Sequence, residues 1–227
     1  MGLMFRGPIA DTPAMGLRLV PVAICLVVLS SGCASPGAIR GTLSTRPLAD
    51  TAIPSQEPGA ERGSVADAVV YLEELDHRDE SRLRAPYAST RLELRGQSLR
   101  PRILVVPVGS SVVFPNEDSV FHNVFSVSPA KRFDLGRYAR GKSKRLTFDK
   151  PGLVNVYCKL HPDMAAYIVV VPNRAFTRPD SSGRFALPTV PRGRYALNVW
   201  HPDFPAIRRE VTITDGERSE LVVTLGS

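Results

Sequence analysis

The stretch from Gly152 to Val171, GLVNVYCKLHPDMAAYIVVV, holds two short apolar runs on either side of a polar loop. Leu153 to Tyr157 and Ala166 to Val171 are rich in Val, Ile and Tyr, too short for stable helices, and preceded by the turn residues Lys150-Pro151-Gly152. Both read as strands, and the loop joining them carries Cys158, His161 and Met164.

Working outward, strand signals continue on the N-terminal side. Arg91-Leu92-Glu93-Leu94-Arg95 alternates with period two, as a half-buried strand does. Ile103 to Val108 and Ser111 to Phe114 flank Gly109-Ser110, which reads as a hairpin. Val124 to Val127 and Arg145 to Phe148 complete the set. These runs, with no amphipathic helix among them, predict a Greek-key β-sandwich over residues 88–172.

The flanks are β as well, which makes the chain all-β. Gly37-Ala38-Ile39-Arg40-Gly41-Thr42-Leu43 and Asp67 to Leu75 read as strands around a loop from Pro47 to Gly63, with a charged linker from His77 to Pro86. Gly183 to Leu187, Tyr195 to Trp200, Val211 to Thr214 and Leu221 to Leu225 read as the strands of a tail sandwich, with Trp200 in its core. Twenty prolines and seventeen glycines punctuate these runs.

Of the 227 residues, 43% are apolar and 22% charged, an ordinary globular balance, and the net charge is +7. No aromatic-plus-basic platform or basic helix accompanies that charge, which argues against nucleic acid and for an acidic partner or anionic lipid. The run Lys131, Arg132, Arg137, Arg140, Lys142, Lys144 and Arg145 reads either as a docking patch or as a solvated hairpin.

Arg18 precedes an apolar run from Leu19 to Leu29, too short for a bilayer, which needs about 20 residues. With Ser30-Ser31-Gly32-Cys33-Ala34 behind it, residues 1–33 read as a secretory leader, for which Met15 is an alternative start. Export predicts a periplasmic or cell-envelope protein. Cys25 and Cys33 then belong to the leader, leaving Cys158 as the lone thiol of the body and Met164 as its lone methionine. A disulfide scaffold is excluded, and an unpaired thiol in an oxidising compartment calls for a use.

An ion that cycles between Cu(I) and Cu(II) is served by two imidazoles and a thiolate in a trigonal set, with a weak axial thioether. The sequence offers that set: Cys158 as the dominant in-plane ligand, His122 and His161 as the equatorial nitrogens, and Met164 as the axial sulfur. Zinc suits it less, since zinc sites rarely take a thioether. His77 and His201 are assigned no ligand role. Four histidines in total cannot furnish the further clusters of a multicopper oxidase.

Three segments carry a resemblance to the cupredoxins, of the plastocyanin and amicyanin kind and the related methylamine-utilisation-like proteins. They are Val113-Phe114-Pro115-Asn116, His122-Asn123-Val124-Phe125, and Gly152 to Tyr157 before the C-x2-H-x2-M loop. The resemblance covers about 88–172 and implies one type 1 (blue) copper ion. It also implies that Asn123 ties the two ligand loops together and that electrons leave near His161. The Gly32-Cys33 pair resembles the lipobox of bacterial lipoproteins, with Leu29 one place further upstream than that pattern has it; this implies lipidation and membrane attachment at Cys33. Asp180-Ser181-Ser182-Gly183-Arg184-Phe185 followed by Pro191-Arg192-Gly193-Arg194-Tyr195 resembles the carboxypeptidase-regulatory-like, prealbumin-type sandwich. Its strand order implies that 37–78 and 173–227 form one split sandwich with 88–172 inserted. The alternative is two consecutive domains, 37–172 and 173–227.

Two functions follow. The first is an exported one-electron carrier, not an enzyme, serving a redox protein partner with an acidic docking face. The second is a non-redox copper-binding or interaction module of a cell-surface lipoprotein.

Overall fold

The computed structural model describes residues 37–45, 63–83, 90–214, 216 and 218–226. The leader with Cys33, and most of the loop expected from Pro47 to Gly63, lie outside the described residues. In chain order the strands are β1 (Ala38–Thr45), β2 (Val69–Leu72), β3 (Glu93–Leu94), β4 (Leu99–Arg100), β5 (Ile103–Pro107), β6 (Ser110–Pro115), β7 (Val124–Ser128), β8 (Lys131–Asp134), β9 (Ser143–Phe148), β10 (Gly152–Cys158), β11 (Ala165–Val171), β12 (Phe176–Thr177), β13 (Arg184–Ala186), β14 (Gly193–His201), β15 (Phe204–Ile213) and β16 (Arg218–Leu225). Helix among the described residues amounts to one 3-10 turn at Val65–Asp67 and one α turn at His77–Glu80. The protein is all-β, and no described helix is long and apolar enough to cross a membrane.

Residues 90–171 build two facing sheets. One has the order β5-β11-β10-β7-β8. The other pairs β6 with β9 and reaches the short β3–β4 hairpin through bridges Arg91↔Val113 and Leu94↔Asn116. Leu92, Phe114, Phe148, Val156 and Ile168 are buried between them. The expected hairpin at Gly109-Ser110 is not one. β5 pairs in parallel with β11, and β6 pairs with β9, so the turn carries the chain from one sheet to the other. Gly109 takes a φ of 83° to do it. Period-two reading identifies strands but not their partners, because both alternatives bury the same side chains.

The basic run does not form a single hairpin either. Lys131 and Arg132 lie on β8 against β7, while Lys144 and Arg145 lie on β9 in the opposite sheet. β8 escaped sequence reading because it is a charged edge strand, the form that edge strands take to avoid unwanted pairing.

The remaining strands build two more sheets, β13-β1-β16 and β12-β2-β14-β15. β1 pairs antiparallel with β13 and parallel with β16, and β2 pairs antiparallel with β12 and β14. Ile39, Leu43, Val70, Phe185, Leu197 and Val199 share their core. The turn before β13 shows why Asp180 and Gly183 are spaced as they are. Asp180 Oδ1 accepts the N–H groups of Ser182 (2.9 Å) and Arg184 (3.0 Å), and Gly183 turns with a φ of 83° to place its carbonyl against the Leu43 N–H, 2.7 Å away. Tyr195 closes the following turn by donating its hydroxyl to the Pro191 carbonyl at 2.9 Å.

A third apolar cluster joins the two sandwiches: Val69 and Phe176 on one side, Ile103, Val105, Val169 and Val171 on the other. It explains the uninterrupted apolar runs of β5 and β11, which are covered on both faces. Trp200 belongs to this junction rather than to the tail core. It lies on the face of β14 opposite Val199 and meets the Tyr167 ring edge-on, centroids 5.5 Å apart. Residues of alternate parity on a strand face opposite ways, and a large aromatic side chain alone does not say which face is the inner one.

Candidate metal centre

The ladder of β10 and β7 brings the two histidines together. Cys158 ends β10 and is in register with Val124, and the ladder continues past it as the Lys159 N–H donates to the Asn123 carbonyl at 2.9 Å. His122 therefore lies beside the loop that follows Cys158. On the other flank, the Cys158 N–H donates to the Met164 carbonyl at 3.2 Å. The Met164 N–H closes back onto the His161 carbonyl at 3.1 Å, a four-residue turn with Pro162 at its second position, where a fixed φ suits it.

The donor atoms converge. Cys158 Sγ stands 3.7 Å from His122 Nδ1 and 3.7 Å from His161 Nδ1, and the two imidazole rings are 4.7 Å apart between centroids. An ion about 2.3 Å from a thiolate and about 2.0 Å from an imidazole, with about 120° between them, sets those donors about 3.7 Å apart. The separations match those of donors that could share a first-row metal ion. His122 is fully buried, Cys158 nearly so, and His161 is half-buried at the rim. Met164 is buried in the same core cluster as Cys158. Cys158, His122 and His161 are thus brought together, with Met164 adjacent through the backbone.

Sequence reading missed Asp118. Its Oδ2 accepts from His122 Nε2 at 2.8 Å, which leaves Nδ1 to face the sulfur. Asp118 is itself held by the β3–β4 turn, accepting the backbone N–H groups of Gly96 and Gln97. Partial burial opposes ionisation of its carboxyl. The Gln97 and Gly96 donors and His122 outweigh that, and the pKa lies below the usual carboxylate range. The signal available in the sequence was the i, i+4 spacing of an acid and a candidate ligand across a tight turn.

Asn116 fixes that turn. It is buried, accepts the Asp118 N–H at 2.9 Å through Oδ1, and donates Nδ2 to the carbonyls of Val120 (2.9 Å) and Tyr138 (3.0 Å). Asn123 ties the loops through its backbone carbonyl, while its side-chain oxygen is buried without a hydrogen-bond partner. Lys159 braces the outside, pairing with Asp134 at 2.7 Å and lying 5.6 Å over the Phe125 ring. Next to the two histidines in the chain, Val120, Phe121 (53% exposed) and Leu160 (39% exposed) are exposed apolar residues, with the Arg137 guanidinium 5.9 Å from the Phe121 ring centre.

No family model matches the chain, and no curated protein matches it. Solved structures share partial likeness. The copper-containing nitrite reductase of Thermus scotoductus SA-01 is 30% identical over 37% of this chain and 22% of its own, with a TM-score of 0.35. A purple cupredoxin from Nitrosopumilus maritimus is 25% identical over 36% of this chain and 98% of its own, with a TM-score of 0.33. An amicyanin in its Cu(I) form is 19% identical over 45% of this chain and 98% of its own, with a TM-score of 0.34.

Proposed function

We propose that the chain is an exported type 1 copper protein that carries single electrons between redox partners. The observation behind this reading is the donor triangle, one sulfur and two Nδ1 atoms at 3.7 Å from it, with a buried methionine in the same cluster. Copper held there would supply a one-electron couple between Cu(I) and Cu(II). Cys158, His122, His161 and Met164 would hold it. Strand ends, the Asn116 turn and the Asp118 carboxylate hold those donors in place, so a change of charge meets a rigid ligand set. His161, half-buried, is the exit for the electron, whereas His122 is fully buried. The exposed apolar residues Val120, Phe121 and Leu160, with exposed Arg137, Arg140 and Lys142 nearby in the chain, suit a partner with an acidic face.

Protein lacking residues 1–33 and loaded with copper should be intensely coloured by the thiolate-to-copper transition, and should cycle reversibly. Cys158→Ser should abolish the band. A colourless protein that holds copper weakly ends the electron-carrier reading and leaves a non-redox copper-binding or interaction module.

The reading extends to the rest of the chain. Residues 1–33 are taken as the leader, with a lipid on Cys33 and a location at the cell envelope. Residues 88–172 form the cupredoxin-like domain, inserted into a carboxypeptidase-regulatory-like sandwich of 37–78 and 173–227. The pairing of β1 with β13 and β16, and of β2 with β12 and β14, supports that division over consecutive domains.

A further inference from the structure

One end of the tail sandwich carries a polar hollow that the copper reading does not use. Gly37, just before β1, exchanges backbone hydrogen bonds with Val190 at 3.2 and 3.3 Å, and β1 then runs parallel to β16 from the pair Ala38↔Arg218. In the other sheet β14 begins where β15 ends, at Gly193↔Ile213. Only residues 214–217 separate β15 from β16, so the starts of β1, β14 and β16 lie at one end of the sandwich. This is the end at which the chain arrives from its N-terminal side.

Arg192, Gly193, Arg194, Thr212, Ile213 and Thr214 line the hollow. Arg194 stands directly across the ladder from Thr212, and the two share the face of the hairpin opposite the buried Tyr195 and Ile213. Arg192 and Thr214 flank the terminal pair Gly193↔Ile213. The turn before β14 is locked by the Tyr195 hydroxyl, which donates to the Pro191 carbonyl at 2.9 Å. Among the described residues Arg194 pairs with Glu210 at 3.7 Å, but both side chains are largely exposed, and such a pair is readily exchanged. Two guanidiniums and two hydroxyls around one hollow suit an oxyanion, because a guanidinium offers phosphate a planar fork of donors and each hydroxyl adds another.

We propose that this hollow binds the phosphate of an anionic phospholipid headgroup and docks the entry end of the tail sandwich on the membrane surface. Cys33 precedes Gly37 by four residues, and four residues of extended chain reach at most about 14 Å. A lipid on Cys33 keeps the hollow within reach of headgroups, and a basic site beside an acyl anchor adds the second signal that makes attachment stable. The choice of a lipid as the source of the phosphate rests on the Cys33 anchor proposed above.

The test uses the mature chain without lipid, so that the site is read apart from the anchor. It should cosediment with vesicles of phosphatidylcholine containing phosphatidylglycerol, and not with phosphatidylcholine alone. Arg192→Gln with Arg194→Gln should weaken that binding about tenfold or more, since each cation near an anionic surface contributes several-fold. Thr212→Val, which keeps the shape and removes one donor, should weaken it about threefold. Arg208→Gln with Arg209→Gln removes the same charge further along β15 and should bind as the parent does. Equal losses in the two double variants would overturn the inference, because they mark general charge attraction. So would an absence of vesicle binding, or saturable binding of inorganic phosphate by a chain that ignores vesicles. Failure of the anchor is seen separately, in the mass of the N-terminal peptide of membrane-extracted protein.

Discussion

His122 and His201 are both buried, one in each sandwich, and they meet their polar needs in opposite ways. His201 uses both ring nitrogens inside the fold: Nε2 meets the Ser64 carbonyl at 3.0 Å, and Nδ1 accepts the Asp203 N–H at 3.0 Å. Asn173, buried in the same sandwich, is likewise spent, donating to the Leu72 carbonyl and accepting the Ala175 N–H. His122 spends only Nε2, on Asp118, and turns Nδ1 toward a sulfur 3.7 Å away and a second imidazole. A histidine with both nitrogens satisfied inside the fold is scaffold; one whose second nitrogen faces a thiol and another imidazole is a candidate ligand.

The sharpest way to break this comparison is to delete each ring. His122→Ala should abolish the copper colour. His201→Ala should keep it, but lose at least about 2 kcal/mol of stability, because an N–H and a carbonyl are orphaned and a void is left. Metal titration and chemical denaturation of both variants read the contrast; equal colour loss in the two would end it.

Asp118→Asn asks how much the carboxylate behind His122 matters. It preserves size but removes the charge that orients the ring and raises its basicity, and copper affinity should fall about ten- to a hundredfold. Unchanged affinity in a competition titration would mean that the strand register alone orients His122.

The smallest effect belongs to the tail sandwich. Asp180 is held below the usual carboxylate range, first by the Ser182 hydroxyl and then by the Arg184 N–H, with burial opposing. A depressed folded pKa contributes stability that is present above the ordinary Asp value of about 3.9 and lost as pH falls through the folded value. Asp180→Asn should therefore flatten the acid limb of a Tm-against-pH curve slightly and leave the copper band untouched. A change in the band would show that the two sandwiches are coupled through their shared apolar junction.

Much of this was legible in the chain. Period-two alternation around Leu92 and Leu94, and the apolar runs of β10 and β11, mark strands wherever one or both faces are covered. The C-x2-H-x2-M loop between two strands brings three candidate ligands within a few residues, so chain connectivity alone holds them near one another. The role of Asp118 was not legible, because an acid in a turn looks like any solvated turn residue until the β3–β4 hairpin closes over it. Trp200 looked like core because size signals burial without naming the face.

The sequence by itself determined the all-β class, the candidate ligands Cys158, His122, His161 and Met164, and the turn at Lys150-Pro151-Gly152, since each depends on local propensity, spacing or donor chemistry. Tertiary structure alone decided which strands pair, which face of β14 meets the other sandwich, and which buried groups end without a partner. Those outcomes rest on contacts between residues far apart in the chain, such as His122 with Cys158 or Ile39 with Ser219. A strand's pattern reveals that it will be covered; only the assembled sheets reveal by what.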